Sequence, residues 1–284
     1  FRVGLNDIKS FDENDKAIEN RNWKFVWANQ FEPSTKAQPA YNCYCTRFGK
    51  EHTSNIDIQE EVAHLDEDPD YIPNHSLLVG GFPCQDYSVA RSLSGEKGIE
   101  GKKGVLFWSI AKILHVKKPP FVLLENVDRL LKSPSKQRGR DFGIMLRTFN
   151  DEGYDVEWRV INAADYGRAQ RRRRVFFFVF RNDTKWGERL HTTYEAKFSK
   201  DTTIEERLAQ YQNYIFKDGL FGRQFPVEGT AVKKRVHANQ LVGDIAEVSE
   251  TFNDGKFWNS GLMTNGYYYT IETNPIVEPP ITMG

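Results

Sequence analysis

Apolar residues fall into short runs along the first part of the chain, separated by stretches with helical spacing. Runs typical of buried strands lie at 25–28, 76–79, 121–124, 155–161 and 174–181, and the last two are close enough to pair. Between them, apolar residues recur every three or four positions at 104–114 and 142–149, as they do in helices. Strands alternating with helices predict an α/β fold with a mostly parallel sheet.

The pattern changes after Asn182, where helix-like spacing at 203–214 gives way to scattered glycine, aromatic and β-branched residues. Residues 266–271 read as a strand. We therefore predict a boundary near Asn182 to Lys185, with one domain at 1–182 and a smaller, irregular, β-rich domain at 183–284.

Charge is balanced overall but uneven along the chain. The 284 residues carry 39 Lys and Arg against 39 Asp and Glu, which excludes a wholly basic nucleic-acid binder but leaves room for a local basic patch. Six arginines and one aspartate lie at 165–181 and lead into an apolar strand. Such arginines are either a solvated face or side chains held in a fixed direction, as a binding site requires.

The apolar runs are far shorter than the roughly 20 residues of a membrane helix, so no membrane association is expected. The three cysteines, Cys43, Cys45 and Cys84, are too few for a disulfide framework, and their spacing matches no zinc site. We expect a reducing cytoplasm, no bound metal, and a free thiol at any cysteine that matters.

Two polar residues follow predicted strands, where ligands bind in α/β sheets. Cys84 comes after a strand and a turn rich in Gly and Pro, and Glu125 comes directly after the next strand. Glycine allows a ligand to approach the backbone closely, and Pro83 stiffens the position before the thiol. A buried, inert cysteine is the alternative.

Four motifs in this order resemble those of the cytosine-5 DNA methyltransferases of bacterial restriction–modification systems. They are Pro83-Cys84-Gln85, Glu125-Asn126-Val127, the segment Asn162 to Gly167, and Gln170, Arg172 and Arg174. The resemblance covers roughly the first 180 residues. It implies a Rossmann-like, S-adenosylmethionine-dependent methyltransferase fold followed by a target-recognition domain.

The resemblance implies covalent catalysis on a cytosine that has been flipped out of double-stranded DNA. The Cys84 thiolate attacks C6 of the ring, which makes C5 nucleophilic towards the methyl donor. Glu125 acts at N3, Arg174 provides a fixed positive charge at O2, and Arg172 orients the Glu125 side.

The same resemblance implies a pocket for S-adenosyl-L-methionine, although the family's opening Gly-rich turn is missing from the sequence. Gln30 stands where the family has an acid for the ribose hydroxyls, with Glu32 nearby as a second candidate. The expected cofactor-binding residues are Gln30, Phe31, Asp57, Ile58, Pro83 and Leu106.

Contacts with DNA are expected from three places in the chain. The Gly- and Lys-rich stretch 89–103 corresponds to a loop that closes over the DNA, or else is an ordinary mobile loop. The expected DNA-binding residues are Gln85, Ser88, Lys97, Lys102, Lys103 and Gln170. Residues 183–284 correspond to a target-recognition domain that looks truncated.

The resemblance further implies a cytoplasmic monomer of prokaryotic or phage origin that works beside a separate restriction endonuclease. An enzyme of the same mechanism that acts on tRNA is the first alternative, but the long segment after Asn182 favours DNA. A non-catalytic DNA-binding relative would be expected to have lost a Cys, Glu or Arg of the motifs, and all are present. An unrelated thiol hydrolase would need a histidine paired with Cys84, and no His is placed for that.

Overall fold

The structure is a computed structural model that describes residues 1–20, 22–82 and 106–279. Among these residues, 1–79 and 106–119 form one compact unit, and 80–82 and 120–279 form a second. Pro83, Cys84, Gln85, Ser88, Lys97, Lys102 and Lys103 lie outside the described residues, as does the stretch 89–103.

The first unit combines four helices with two small sheets. Its elements are α1 (Arg2–Asn6), β1 (Ile8–Phe11), β2 (Ala17–Glu19), β3 (Ala28–Asn29), α2 (Pro39–Phe48), β4 (Thr53–Ser54), α3 (Ile58–Ala63) and α4 (Leu106–Lys117). Strands β1 and β2 are antiparallel, whereas β3 and β4 are parallel. A small apolar core joins α3 to α4 through Val62, Leu65, Ile72 and Ile113. The predicted strand at 25–28 is confirmed only at its end.

The second unit is built on a seven-stranded sheet in the order β5-β6-β8-β7-β10-β11-β9, although the first three residues of β5 are counted with the first unit. Its strands are β5 (Leu77–Gly81), β6 (Phe121–Asn126), β7 (Tyr154–Asn162), β8 (Arg173–Arg181), β9 (Val236–Gln240), β10 (Ser260–Thr264) and β11 (Tyr267–Ile271). Its helices are α5 (Arg140–Asp151), α6 (Lys185–Tyr194), α7 (Ile204–Asn213), α8 (Leu220–Gln224) and α9 (Ile245–Thr251). The predicted α/β class is confirmed.

The prediction of a mostly parallel sheet was wrong. Every described pairing from β6 to β9 is antiparallel. Short connections explain two of these five pairings, because a parallel pair needs a crossover of a dozen or more residues. Only residues 163–172 join β7 to β8, and two residues, Asn265 and Gly266, join β10 to β11. Both have positive φ, 49° and 74°, as a tight hairpin turn requires.

Side chains of alternate residues on β7 and β8 fill two cores, one on each face of the sheet. On one face, Trp158 and Phe177 pack with Phe142 of α5 and with Phe257. On the other face, a second cluster gathers β-strand and helix residues, including Phe178, Phe180, Leu190, Tyr211, Ile215 and Phe221. The β8 aromatic run is therefore buried on both sides of the sheet.

The structure does not divide near Asn182, where we expected a domain boundary. Strand β10, from beyond that point, pairs with β7 from before it, with Ser260 opposite Arg159. Nor is the later region β-rich, since its described part holds α6 to α9 beside three strands of five residues each. Capping boxes at Thr203 and Asp244 begin α7 and α9. The helix-like spacing predicted at 203–214 is confirmed by α7, whereas the signal at Asp244 was overlooked.

No helix within the described residues combines the length and the apolar character needed to cross a membrane.

Candidate functional site

Glu125 and Arg174 form an ion pair where β6 ends. Glu125 lies opposite Phe176 in the register of β6 with β8, and Arg174 lies two residues before Phe176 on β8. The Arg174 Nε lies 2.7 Å from Glu125 Oε1. Both side chains are partly accessible, 23% for Arg174 and 27% for Glu125. A carboxyl group and a fixed cation therefore stand side by side, open to a ligand.

The end of β5 lies directly beside this pair. The buried Asn126 donates a 2.8 Å hydrogen bond from Nδ2 to the carbonyl of Phe82, and its Oδ1 accepts from the Val127 amide at 2.8 Å. A Cβ at Gly81 would lie 3.3 Å from Glu125 Oε2, so glycine leaves room for the carboxylate. Cys84 follows Phe82 by two residues in the sequence. The backbone leading to the cysteine motif is thus tied to the Glu-Asn-Val motif.

The arginine motif forms an exposed loop ahead of β8. The Arg172 amide donates to the Gln170 carbonyl at 3.1 Å, and the Arg172 carbonyl accepts from the Ala163 amide at 3.3 Å. The side chains of Gln170 and Arg172 are exposed. We expected Arg172 to orient Glu125, but the contact that the structure shows is with Arg174. Arg174 lies on β8, two residues from the Phe176 that pairs with Glu125, whereas Arg172 lies in the loop before the strand.

Residues 162–167 hold this loop in place. Asn162 Nδ2 donates to Asp165 Oδ1 at 2.9 Å, and the Asp165 carbonyl accepts from the Glu278 amide at 2.9 Å. Gly167 has a φ of 74°, and a Cβ there would lie 3.1 Å from the Pro279 carbonyl. Burial raises the pKa of the neighbouring Tyr166, which therefore stays neutral.

The predicted cofactor residues Gln30, Phe31, Asp57 and Ile58 share one edge of the small parallel sheet. Strands β3 and β4 pair Ala28 with Thr53, and the Gln30 amide donates to the Ser54 carbonyl at 2.9 Å. Because parallel strands end at the same edge, the residues that follow β3 and β4 come close together. Gln30 and Phe31 are half-buried, which leaves part of each side chain accessible.

Several of the predicted cofactor residues also make contacts that stabilise the fold. Asp57 caps α3, with its Oδ1 accepting from the Gln59 amide at 3.0 Å, and Ile58 packs against the Val62 cluster. Glu32, the second candidate for the ribose, accepts from the Ala40 amide at 2.7 Å at the start of α2. Leu106 is the first residue of α4 and is half-buried.

Sequence analysis missed the individual roles of three residues in the second unit. Asn126 was read only as part of a motif, yet it anchors the Phe82 carbonyl. Gly81 makes room for Glu125, and the glycine pair before Cys84 was the available signal. Asp128 Oδ2 pairs with Arg173 Nε at 3.0 Å. The local sequence around either residue does not predict this contact between two motifs.

Comparison with known proteins gives consistent results. The family described as C-5 cytosine-specific DNA methylase matches residues 11–277. The chain is 47% identical over 288 residues to the type II methyltransferase M.Sau3AI of Staphylococcus aureus, covering 100% of the chain and 61% of that protein. It is 32% identical over 167 residues to the type II methyltransferase M.HhaI of Haemophilus parahaemolyticus, covering 59% of the chain and 45% of that protein.

Among solved structures, the DNMT2 of Spodoptera frugiperda aligns with a TM-score of 0.39 and 14% identity, covering 58% of this chain and 45% of that one. The sequence matches carry the assignment. They extend over nearly all of the chain, although the chain spans only 61% of the length of M.Sau3AI. The chain belongs to the C-5 cytosine-specific DNA methylase family.

Proposed function

We propose that this protein transfers a methyl group from S-adenosylmethionine to C5 of a cytosine in double-stranded DNA, through a covalent bond between Cys84 and C6. The observation that carries the proposal is the Glu125–Arg174 pair, which stands beside the strand end that leads to Cys84. Its relatives are named type II methyltransferases. We therefore also propose that it is the modification enzyme of a restriction–modification system and works beside a separate endonuclease.

The geometry of the pair fits the edge of a cytosine ring. O2 is bonded to C2, the ring atom next to N3, so the two groups lie close together on one edge of the base. The carboxyl group of Glu125 and the guanidinium of Arg174 are also close together, with 2.7 Å between Oε1 and Nε. When the Cys84 thiolate adds to C6, negative charge develops at N3 and O2. The bound base takes the place of the ion pair between Glu125 and Arg174. The acid form of Glu125 then donates to N3, and Arg174 stabilises the charge at O2. C5 then becomes the nucleophile. After C5 is methylated, loss of its proton to a base and departure of the Cys84 thiolate from C6 restore the aromatic ring.

S-adenosylmethionine supplies an electrophilic methyl group. The edge formed by β3 and β4 has the residue types that its adenosine part needs, namely a half-buried aromatic side chain in Phe31 and an amide in Gln30. Asp57 keeps its Oδ1 on the α3 amide, so a hydrogen bond to adenine would use its other oxygen. We assign Pro83 and Leu106 to the apolar wall of the same pocket.

Duplex DNA is the proposed substrate, and the target base leaves the stack to reach Cys84. The exposed arginine loop with Gln170 and Arg172 lies next to Arg174, where phosphates around a flipped nucleotide would be held. We assign Gln85, Ser88, Lys97, Lys102 and Lys103 to DNA contacts as well. Residues 183–284 would contribute to target recognition.

Covalent trapping tests this function. Plasmid-length DNA in which 5-fluorocytosine replaces cytosine is incubated with the intact protein, with and without S-adenosylmethionine. Fluorine cannot leave as a proton does, so we expect a protein–DNA adduct that needs the methyl donor and is stable to denaturation. A parallel reaction with tRNA containing 5-fluorocytidine tests the alternative substrate.

Two cysteine variants locate the nucleophile. Cys84→Ala should form no adduct while still binding DNA, and Cys43→Ala, which removes an exposed cysteine on α2, should react as the wild type does. Adduct formation by Cys84→Ala would overturn the assignment of the nucleophile. Absence of an adduct with the wild-type protein on DNA would overturn the proposed activity.

A further inference from the structure

One row of paired residues crosses six strands of the large sheet. Glu125 pairs with Phe176, Phe176 with Arg159 and Arg159 with Ser260. The row continues from Ser260 to Ile271 and ends at Val236 on β9. The first residue of β9 therefore lies at the same level as the proposed catalytic acid. We call the side of the sheet where β6 ends the upper edge.

Two cations lie on the upper edge next to this row. β9 runs down from Val236, so Lys234 and Arg235 come above it, as Arg174 comes above Phe176 at the other end. Lys234 and Arg235 are exposed, and we call them the basic edge. A cation at each end of one sheet edge is the pattern expected of a surface that follows a polyanion.

Arg235 is held in a fixed direction. Its guanidinium carbon lies 5.3 Å from the centre of the Trp258 ring, and its Nη1 lies 3.3 Å from Glu272 Oε2. The side chain remains 45% accessible. A cation oriented by an aromatic ring and still open to solvent differs from a freely moving lysine on a solvated face.

The backbone of Lys234 is held in an unusual conformation. Its φ is 56°, in the left-handed region that non-glycine residues seldom adopt. Such strain persists where the surrounding structure imposes it and is concentrated at binding and catalytic sites. Here the Arg235 amide donates to the Val232 carbonyl at 2.8 Å, and the Glu272 amide donates to the Arg235 carbonyl at 2.9 Å, which fixes the turn.

We propose that the basic edge, Lys234 and Arg235, binds the phosphate backbone of the DNA whose target cytosine is held at Glu125. The inference rests on the proposed function and extends it to a second contact on the same substrate. Five strand spacings of about 4.8 Å separate β6 from β9, or roughly 24 Å. Because the sheet twists, this is an upper limit on the straight distance. At about 3.4 Å per base pair, these phosphates lie at most about seven base pairs from the target.

The salt dependence of DNA binding tests the proposal. Affinity of the intact protein for a mixed-sequence duplex is measured at several salt concentrations for the wild type and for Lys234→Gln/Arg235→Gln. Each lost phosphate contact lowers the slope of log K against log salt by about 0.9, so the double variant should lose about 1.8. Lys185→Gln is the matched control, because Lys185 is exposed and follows β8 at the opposite edge of the sheet.

Glu272→Gln gives a prediction of opposite sign. Removing the carboxylate that competes with phosphate for Arg235 should tighten DNA binding, whereas a purely structural ion pair would leave affinity unchanged or weaken it. Unchanged slopes for the double variant, with wild-type DNA binding intact, would overturn this inference alone. A wild-type protein that does not bind DNA at any salt concentration would overturn the proposed function as well.

Discussion

Two carboxylate–arginine arrangements in the same sheet have different consequences. Glu125 and Arg174 touch each other at 2.7 Å, and each is about one quarter accessible. Glu157 and Arg159, side by side on one face of β7, are each only 2% exposed. The same two kinds of charged group therefore occur once at an open strand end and once inside the protein.

The two buried side chains bind mainly backbone groups instead of solvent, through both Glu157 oxygens and both Arg159 Nη atoms. Glu157 accepts hydrogen bonds from the Leu220 and Phe221 amides at 2.9 and 2.8 Å, and a Cβ at Gly219 would lie 2.6 Å from its Oε1. Arg159 donates to the carbonyls of Phe225 at 2.7 Å, Phe221 at 3.2 Å and Ile215. These contacts hold the π-helical turn Tyr214–Asp218 and α8 against the sheet.

The difference shows that local chemistry alone does not mark a site. A charged group whose hydrogen bonds are all made within the fold is unavailable to a ligand, even where the environment shifts its pKa strongly. Glu125 keeps an accessible carboxylate beside Gly81, whereas Glu157 has both oxygens engaged. We expect the first pair to govern activity and the second to govern stability.

The largest expected effect is on turnover. Glu125→Gln should lower methyl transfer by about 10²- to 10⁴-fold, because the amide cannot deliver a proton to N3. Its thermal midpoint and its affinity for S-adenosylmethionine should stay near those of the wild type. Asp128→Asn, which alters the neighbouring pair with Arg173, should retain most activity. Equal losses in the two variants would refute the distinction between them.

The next effect is on folding. Arg159→Met should lower the free energy of unfolding by about 3–5 kcal/mol, because it leaves Glu157 buried without its countercharge. Urea denaturation measures this. The double variant Glu157→Gln/Arg159→Met should recover part of the loss, and a single-variant change below about 1 kcal/mol would contradict a structural role for the buried pair.

His191 extends the comparison to pH. The carboxylates of Asp155, 2.9 Å from Nε2, and of Glu195, 2.6 Å from Nδ1, raise its pKa from 6.5 to about 10. The folded protein therefore retains a proton that the unfolded chain releases, so this stabilisation is full below pH 6.5 and is lost as pH rises through 10. The difference in urea midpoint between wild type and His191→Gln should shrink from pH 6 to pH 10. A constant difference would exclude this coupling.

The smallest expected effect belongs to Glu157 itself. Burial raises its pKa from 4.5 to about 7. The folded state then binds a proton more tightly than the unfolded state, so stability falls as pH rises from 4.5 to 7, by up to about 3 kcal/mol. Glu157→Gln should flatten this dependence in denaturation curves. A slope that persists in the variant must come from other groups.

The sequence was informative where periodicity and motifs are local. The sequence predicted the strands around Leu124 and Phe177 and the helix around Ile144 to within a few residues. A buried strand and the buried face of a helix each produce a regular spacing of apolar residues that is visible in the sequence. Glu125 and Arg174 were both predicted as site residues, and the structure brings them together.

What the sequence could not supply were contacts between distant segments. The pairing of β10 with β7 joins Ser260 to Arg159, and nothing in either segment specifies that partner. The contact of Glu125 with Arg174 instead of Arg172 depends on where β8 begins, since Arg173 is its first residue and Arg172 stays in the loop. The Asn265–Gly266 turn was a readable hairpin signal that was passed over.

That two-residue turn also limits how this part of the protein can change during evolution. One residue inserted at the start of β11, with the two-residue turn unchanged, would turn every side chain of β11 to the opposite face of the sheet and place Tyr269 outside its core. Two inserted residues would keep the faces but shift the partner register by about 7 Å, moving Arg235 away from the level of Glu125. We expect natural length variation to accumulate in the longer connections and to spare this hairpin.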